Sequence, residues 1–382
     1  MKNLRKYLLL VLCAGLGAVV GGLGAKHGLR LSHHGAWSRG QVAGLLALLP
    51  VAWLLAVLLH ELGHVLAGQT QRFQFRWLVV GPLMWKREAG RLRFVWNKSL
   101  NLAGGMALCL PPNDGDLRRR FMVFGAGGPL GSVAWAAVAL GTYALLPPAA
   151  SAVGQVLAVA LAASGGISAL LALLTLVPMH LGGFYSDGGR LLHLWRGDAA
   201  GQLDLALITA MAHSMAGTRP RHLPQALLAA AAALPQELPC KCYAHYYLYL
   251  AALDAQQIEQ AGEHLAAYRV QLPQQPAAIQ ASGWLESAFF AAAYQHDLPA
   301  ARAFRALAQP SALVTADVTA RVEAALARLA DDPARALALA QTALQALPRS
   351  IDQGSACLYA EWLTATVRWA GGPVQKQLSP TT

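Results

Sequence analysis

The run from Val42 to Leu59 contains no charged and no polar side chain. A surface helix needs a polar face, so a run of this kind calls for an apolar solvent on all sides. About 20 such residues make a helix long enough to cross the hydrocarbon core of a bilayer. Four segments meet that requirement, approximately Tyr7–Ala25, Val42–Ala67, Phe121–Leu146 and Val153–Met179. The composition agrees: 55% of residues are hydrophobic and only 13% are charged, where soluble domains carry about a quarter charged. Lys2, Arg5 and Lys6 precede the first segment as they would a signal peptide. No small-residue cleavage site with a polar start follows it, and the segment reads as a retained anchor.

Charge divides the chain in two. Residues 1–196 hold 18 Lys/Arg against 5 Asp/Glu, whereas residues 197–382 hold 12 against 14. We therefore expect a membrane core over 1–196 and a separate domain over 197–382. The basic residues of the first part flank apolar runs and form no continuous solvated patch, which argues against nucleic acid as a partner. Ten of them fall between the second and third spans: Arg72, Arg76, Lys86, Arg87, Arg91, Arg93, Lys98, Arg118, Arg119 and Arg120. Loops rich in Lys and Arg stay on the cytoplasmic side. The N-terminus, the 68–120 loop and everything after Met179 are accordingly expected in the cytoplasm, with the chain in the cell membrane.

Within the 68–120 loop, Phe73, Phe75 and Trp77 alternate with polar residues, as do Leu92, Phe94 and Trp96. A period of two predicts strands with one apolar face, and Glu88-Ala89-Gly90 is a candidate turn between them. Leu102 to Pro112 is apolar but too short to span, so it is expected to be re-entrant or interfacial. From about Asp198 the sequence becomes rich in alanine and leucine and predicts soluble helices. Asp297 and Asp332, each followed closely by proline, resemble helix starts. Ala261, Leu265, Tyr268 and Pro273 match Ala336, Ala340, Ala343 and Pro348 in spacing, with Ala300, Phe304 and Leu307 between them. Two readings fit: a degenerate tetratricopeptide-like array, which commonly serves as a docking surface for a protein partner, or an ordinary alanine-rich bundle. The fold class is thus mainly α, a polytopic helical core with a small membrane-associated sheet, followed by a soluble helical domain. The five cysteines form no disulfide framework, and Cys240-Lys241-Cys242 has no second pair to complete a zinc site.

The chemistry-bearing motif is His60-Glu61-Leu62-Gly63-His64. On a helix, residues four apart share a face, so both imidazoles can hold one metal ion. Glu61 is placed to act as general base on a water whose pKa zinc lowers to about 7. An acid and two histidines next to an uncharged apolar run are costly unless they are paired or metal-bound. Zinc needs a third protein ligand, and the candidate is Asp187 in Ser186-Asp187-Gly188-Gly189, just past the cytoplasmic end of the last span. A turn residue before glycines is the plainer reading of Asp187. His180 and His193 compete for the role without a matching motif, and solvation beside the membrane suits both.

Three features together resemble the site-2 protease family of intramembrane zinc metallopeptidases: His60–His64 on a membrane helix, Gly127-Gly128-Pro129 opening the next span, and Asp187-Gly188-Gly189 after the last. The resemblance covers approximately residues 1–196. It implies that His60, His64 and Asp187 are metal ligands for Zn2+, that Glu61 is catalytic, and that the strands near 73–97 hold a membrane protein or peptide substrate in extended form. The sequence departs from the family where Thr175 stands three residues before Pro178 in place of the usual Asn. The Pro-to-Asp interval is also longer, and no PDZ-like insertion is evident. Two other classes remain to be weighed. A non-catalytic metal-binding scaffold recruiting partners through its helical domain would have no need of Glu61. A transporter would line a path across the bilayer with its charges, which here cluster at one edge.

Overall fold

The computed structural model describes residues 37–88, 91–97, 104–111, 115–181, 184–235, 238, 240–275, 277–309, 314–350 and 352–372. The expected span Tyr7–Ala25, Cys13 and the candidate turn residues Ala89 and Gly90 lie outside them. The chain is mostly helical and divides into two compact units. One comprises residues 1–112, 119–179 and 185–191, and the other the remainder.

In the first unit, helix α1 runs over Arg39–Thr70. Ser38 starts it with a reciprocal cap: its hydroxyl accepts from Gln41 N–H and its own N–H donates to Gln41 Oε1, satisfying two donors that a helix start leaves free. Arg72 ends the helix in the left-handed region at φ 62° and turns the chain into a sheet. Strands β1 (Gln74–Val80), β2 (Leu83–Glu88), β3 (Arg91–Trp96) and β4 (Gly105–Leu110) form one antiparallel sheet in the order β3-β2-β1-β4. Gly81, at φ 53°, makes the tight turn between β1 and β2. Helices α2 (Leu117–Leu145) and α3 (Ala152–Leu176) follow. These two and α1 are long and apolar enough to cross a membrane.

The sheet is richer than the alternation predicts. An additional strand, β2, occupies Leu83–Glu88 and pairs with β3 from Leu83↔Trp96 to Glu88↔Arg91. Within the segment Leu102–Pro112, expected to be re-entrant or interfacial, residues Gly105–Leu110 form β4, which pairs with β1 from Val80↔Gly105 to Gln74↔Leu110. A bulge at Arg76 interrupts that register.

Helices α1 and α2 cross with almost no side-chain volume between them. A Cβ built on Gly63 would overlap the Gly127 carbonyl, and one built on Gly127 would overlap that of Gly63. Between membrane helices, where the lipid is as apolar as leucine, such small residues allow the close backbone approach that drives association. Further contacts are polar: Gln41 Nε2 donates to Gln155 Oε1 at 2.8 Å across α1 and α3, and Trp135 Nε1 donates to Ser164 Oγ at 2.8 Å across α2 and α3.

A two-residue ladder, β5 (His180–Leu181) with β6 (Phe184–Tyr185), leads into α4 (Asp187–Arg196). The second unit continues with α5 (Ala199–Met215), α6 (Gln225–Ala232), α7 (Cys242–Asp254), α8 (Ile258–Gln271), α9 (Ala277–Ala293), α10 (Leu298–Leu307), α11 (Ala316–Leu329), α12 (Pro333–Ala346) and α13 (Gln353–Trp369). α7 packs on α8, α9 on α10, and α11 on α12, giving three successive helical hairpins. Each turn uses one non-glycine residue in the left-handed region: Gln256 at φ 63°, His296 at φ 54° and Asp331 at φ 56°. Asp297 and Asp332 cap α10 and α12 as expected, accepting from Ala300 N–H and Arg335 N–H. The spacing match seen in the sequence falls on equivalent positions, since Ala261, Leu265 and Tyr268 on α8 and Ala336, Ala340 and Ala343 on α12 are all buried. In the helix between them Ala301, one residue beyond Ala300, takes the buried position.

The first helix of each hairpin and α13 meet in a buried polar cluster. The Glu286 carboxylate accepts from Tyr249 at 2.7 Å, from Tyr359 at 2.8 Å and from Arg321 Nη2 at 2.7 Å. The Arg321 guanidinium also lies 3.5 Å from the Tyr359 ring centroid. Removing one member of a buried ion pair strands the other charge, which costs about 3–5 kcal/mol. Glu286→Leu is expected to destabilise the chain by that amount, and Glu286→Leu with Arg321→Met by much less. Denaturant unfolding of both variants checks this.

Candidate functional site

The site is built where α1, α2, β4 and the first turn of α4 come together. His60 and His64 are buried on one face of α1, with ring centroids 5.0 Å apart. Asp187 is the first residue of α4, and its carboxylate reaches both rings: His60 Nε2 lies 3.2 Å from Oδ2 and His64 Nε2 lies 3.5 Å from Oδ1. The approach of α4 requires glycine at the next position, because a Cβ on Gly188 would overlap the Leu176 carbonyl at the end of α3. Ser186 fixes the turn, donating its hydroxyl to Val177 O and accepting from the N–H groups of Met179 and Gly189. Burial works to raise the pKa of Asp187, but its hydrogen bonds with His60 and His64 hold the carboxyl well below the usual carboxylate range.

Each imidazole is held from behind. His64 Nδ1 lies 2.8 Å from the Phe124 carbonyl and 3.2 Å from Gly128 N. Only one of these contacts can be a hydrogen bond of that nitrogen. A bare Nδ1 would face the carbonyl lone pairs at the shorter distance, so Nδ1 carries the proton and donates it to Phe124. With a metal ion in the pocket, that tautomer would leave the Nε2 lone pair for the ion. His60 Nδ1 is 2.9 Å from Ser132 Oγ on α2.

The residues present fit a bound metal ion. One ligand atom from each of His60, His64 and Asp187 lies within 4.8 Å of the other two. Two ligands at 2.0–2.1 Å from a tetrahedral ion sit about 3.3 Å apart, close to the two His–Asp separations. The pocket exists because Gly128 has no side chain: a Cβ there would overlap His64 Nε2 and lie 2.7 Å from His60 Nε2.

Glu61 follows His60 and is buried against β4. A Cβ on Gly105 would lie 2.6 Å from Glu61 Oε1, and the Ala107 backbone hydrogen-bonds the carboxylate. Among the described residues β4 is an edge strand of its sheet. The strand bordering Glu61 is one of the two that sequence patterning does not reveal.

The structure thus brings His60, Glu61, His64 and Asp187 together. His193 does not join them: its Nδ1 is 2.9 Å from the Asp198 carboxylate, which also caps α5 through Gly201 N–H. It is paired where solvation alone was expected. The side chain of His180 lies outside the described residues. Thr175 donates its hydroxyl to Ala172 O within its own helix. Cys109, Cys240, Cys242 and Cys357 are free thiols, and none belongs to the ligand group. Sequence reasoning missed Ser132 and the Phe124 carbonyl. A polar side chain inside an apolar span was the available signal for the first, and a backbone carbonyl gives none. Comparison of the chain with protein-family models, with curated proteins and with solved structures finds no match.

Proposed function

We propose that this chain is an intramembrane zinc metallopeptidase of the site-2 protease type, hydrolysing peptide bonds in or next to transmembrane segments. The observation that carries the reading is the convergence of two histidines and an aspartate on one buried pocket, with Glu61 beside it on the same apolar helix as the histidines. A purely structural metal site would need the three ligands but not the acid. Zinc in this pocket would supply a Lewis acid that polarises a carbonyl and lowers the pKa of water to about 7.

His60, His64 and Asp187 hold the ion in this reading. Glu61 takes the proton from the attacking water and returns it to the leaving amine. A helical peptide bond is shielded by its own hydrogen bonds, so the substrate must unwind. Pairing with β4 would replace those lost backbone bonds and lay the chain beside Glu61. The excess of Lys and Arg in the 68–120 loop supports a cytoplasmic position for the site in the cell membrane.

We read the second unit as a tetratricopeptide-like array that selects substrates or recruits a protein partner. Three consecutive hairpins with the same turn geometry support this.

Comparing membrane-protein fragments in cells carrying the wild type or Glu61→Ala tests the proposal. New C-termini inside or beside hydrophobic segments are expected with the wild type alone. Identical fragment sets would end the protease reading and leave a metal-binding scaffold.

A further inference from the structure

We propose that Ser132 is the positioning residue for His60, accepting the Nδ1 proton of the imidazole and so aiming Nε2 at the pocket. This rests on the reading of that pocket as a metal site. A neutral imidazole carries one proton, so a ring that offers Nε2 to a metal must hold its proton on Nδ1. That N–H needs an acceptor when it is buried. Ser132 Oγ is 2.9 Å away, with His60 5% exposed and Ser132 fully buried.

Ser132 stands four residues after Gly128 on α2, on the same helical face. One turn of α2 therefore opens the pocket with a glycine and supports a ligand with a serine. The serine is itself anchored, since its carbonyl accepts from the Ser168 hydroxyl at 3.1 Å across α2 and α3. The two ligand histidines differ in this respect. His64 leans on a backbone carbonyl, which no substitution removes. His60 leans on a side chain, and its orientation is therefore open to mutation.

The test uses the full-length chain purified in detergent, with zinc affinity measured by competition against a chromogenic chelator. Loss of an outer-shell partner typically weakens metal binding about 10–100-fold, and Ser132→Ala is expected to fall in that range. Ser132→Thr, which keeps the hydroxyl, should recover most of the affinity. Ser164→Ala removes a different α2–α3 hydroxyl contact, the one to Trp135, and should bind like the wild type.

Nitrogen NMR of 15N-histidine in the zinc-loaded wild type gives a readout independent of any variant. His60 is expected to carry its proton on Nδ1 and the metal on Nε2. The opposite arrangement overturns the proposal. So does unchanged affinity in Ser132→Ala, or an equal loss in Ser132→Ala and Ser164→Ala, which would reduce the effect to helix packing. If the wild type itself takes up no zinc, the reading of the pocket fails along with the role of Ser132. If the wild type binds and Ser132→Ala binds as tightly, only the role of Ser132 fails.

Discussion

Replacing Gly128 with alanine is expected to abolish zinc uptake. The added methyl would overlap His64 Nε2 and crowd His60 Nε2, two of the three atoms that would hold the ion. Neither ring has room to move, because Phe124 and Ser132 hold them from behind. Nor can α2 retreat, since the backbones of Gly63 and Gly127 already touch where it crosses α1. Losing an outer-shell partner costs about 10–100-fold in affinity, and displacing ligands themselves should cost more than that. Elemental analysis of the purified chain should show about one zinc in the wild type, as a single catalytic site holds. It should show none in Gly128→Ala, with His64→Ala as the reference for a broken site. Full stoichiometry in Gly128→Ala would mean that the ion sits elsewhere.

Gly105→Val should separate metal binding from catalysis. A side chain at this position of β4 meets Glu61 Oε1 and Val57 Cγ1 before it meets any of the three ligands. The expected result is a chain that keeps its zinc but loses cleavage by about 10²–10⁴-fold, the usual contribution of a general base. Parallel measurement of zinc content and peptide cleavage checks this. Loss of zinc in Gly105→Val would show that β4 supports the ligands as well as the base.

The long apolar helices and the His60–His64–Asp187 group were legible because their signals are long-range or redundant. An uncharged run such as Val42–Leu59 has few ways to satisfy its backbone outside a membrane helix. The spacing of His60 and His64 puts both on one face of that helix, and the loop charges predict Asp187 at the same depth. The sheet was legible only in part. β3 shows a clean period of two because Leu92, Phe94 and Trp96 lie on one face and Arg91 and Arg93 on the other. β4 shows none: Gly105 through Leu110 is uncharged throughout, its last three residues are buried, and alternation vanishes when both faces are covered. β2, with Leu83, Met84 and Trp85 in succession, hides for the same lack of contrast. In the helical unit, Asp297 and Asp332 announced their caps. The pairing of Glu286 with Arg321 was not legible, because the two residues lie on different hairpins and nothing local records their contact. Ser132 is an ordinary serine until the fold places His60 opposite it.

The most direct test of the central claim uses purified full-length chain reconstituted in lipid with transmembrane peptides in 18O-labelled water, read by mass spectrometry. Zinc-loaded wild type is expected to release fragments whose new C-terminal carboxyl carries the label. Glu61→Gln, with its zinc intact, should release almost none. Equal labelled cleavage by Glu61→Gln, or zinc-loaded wild type that cleaves no membrane segment, would contradict the account.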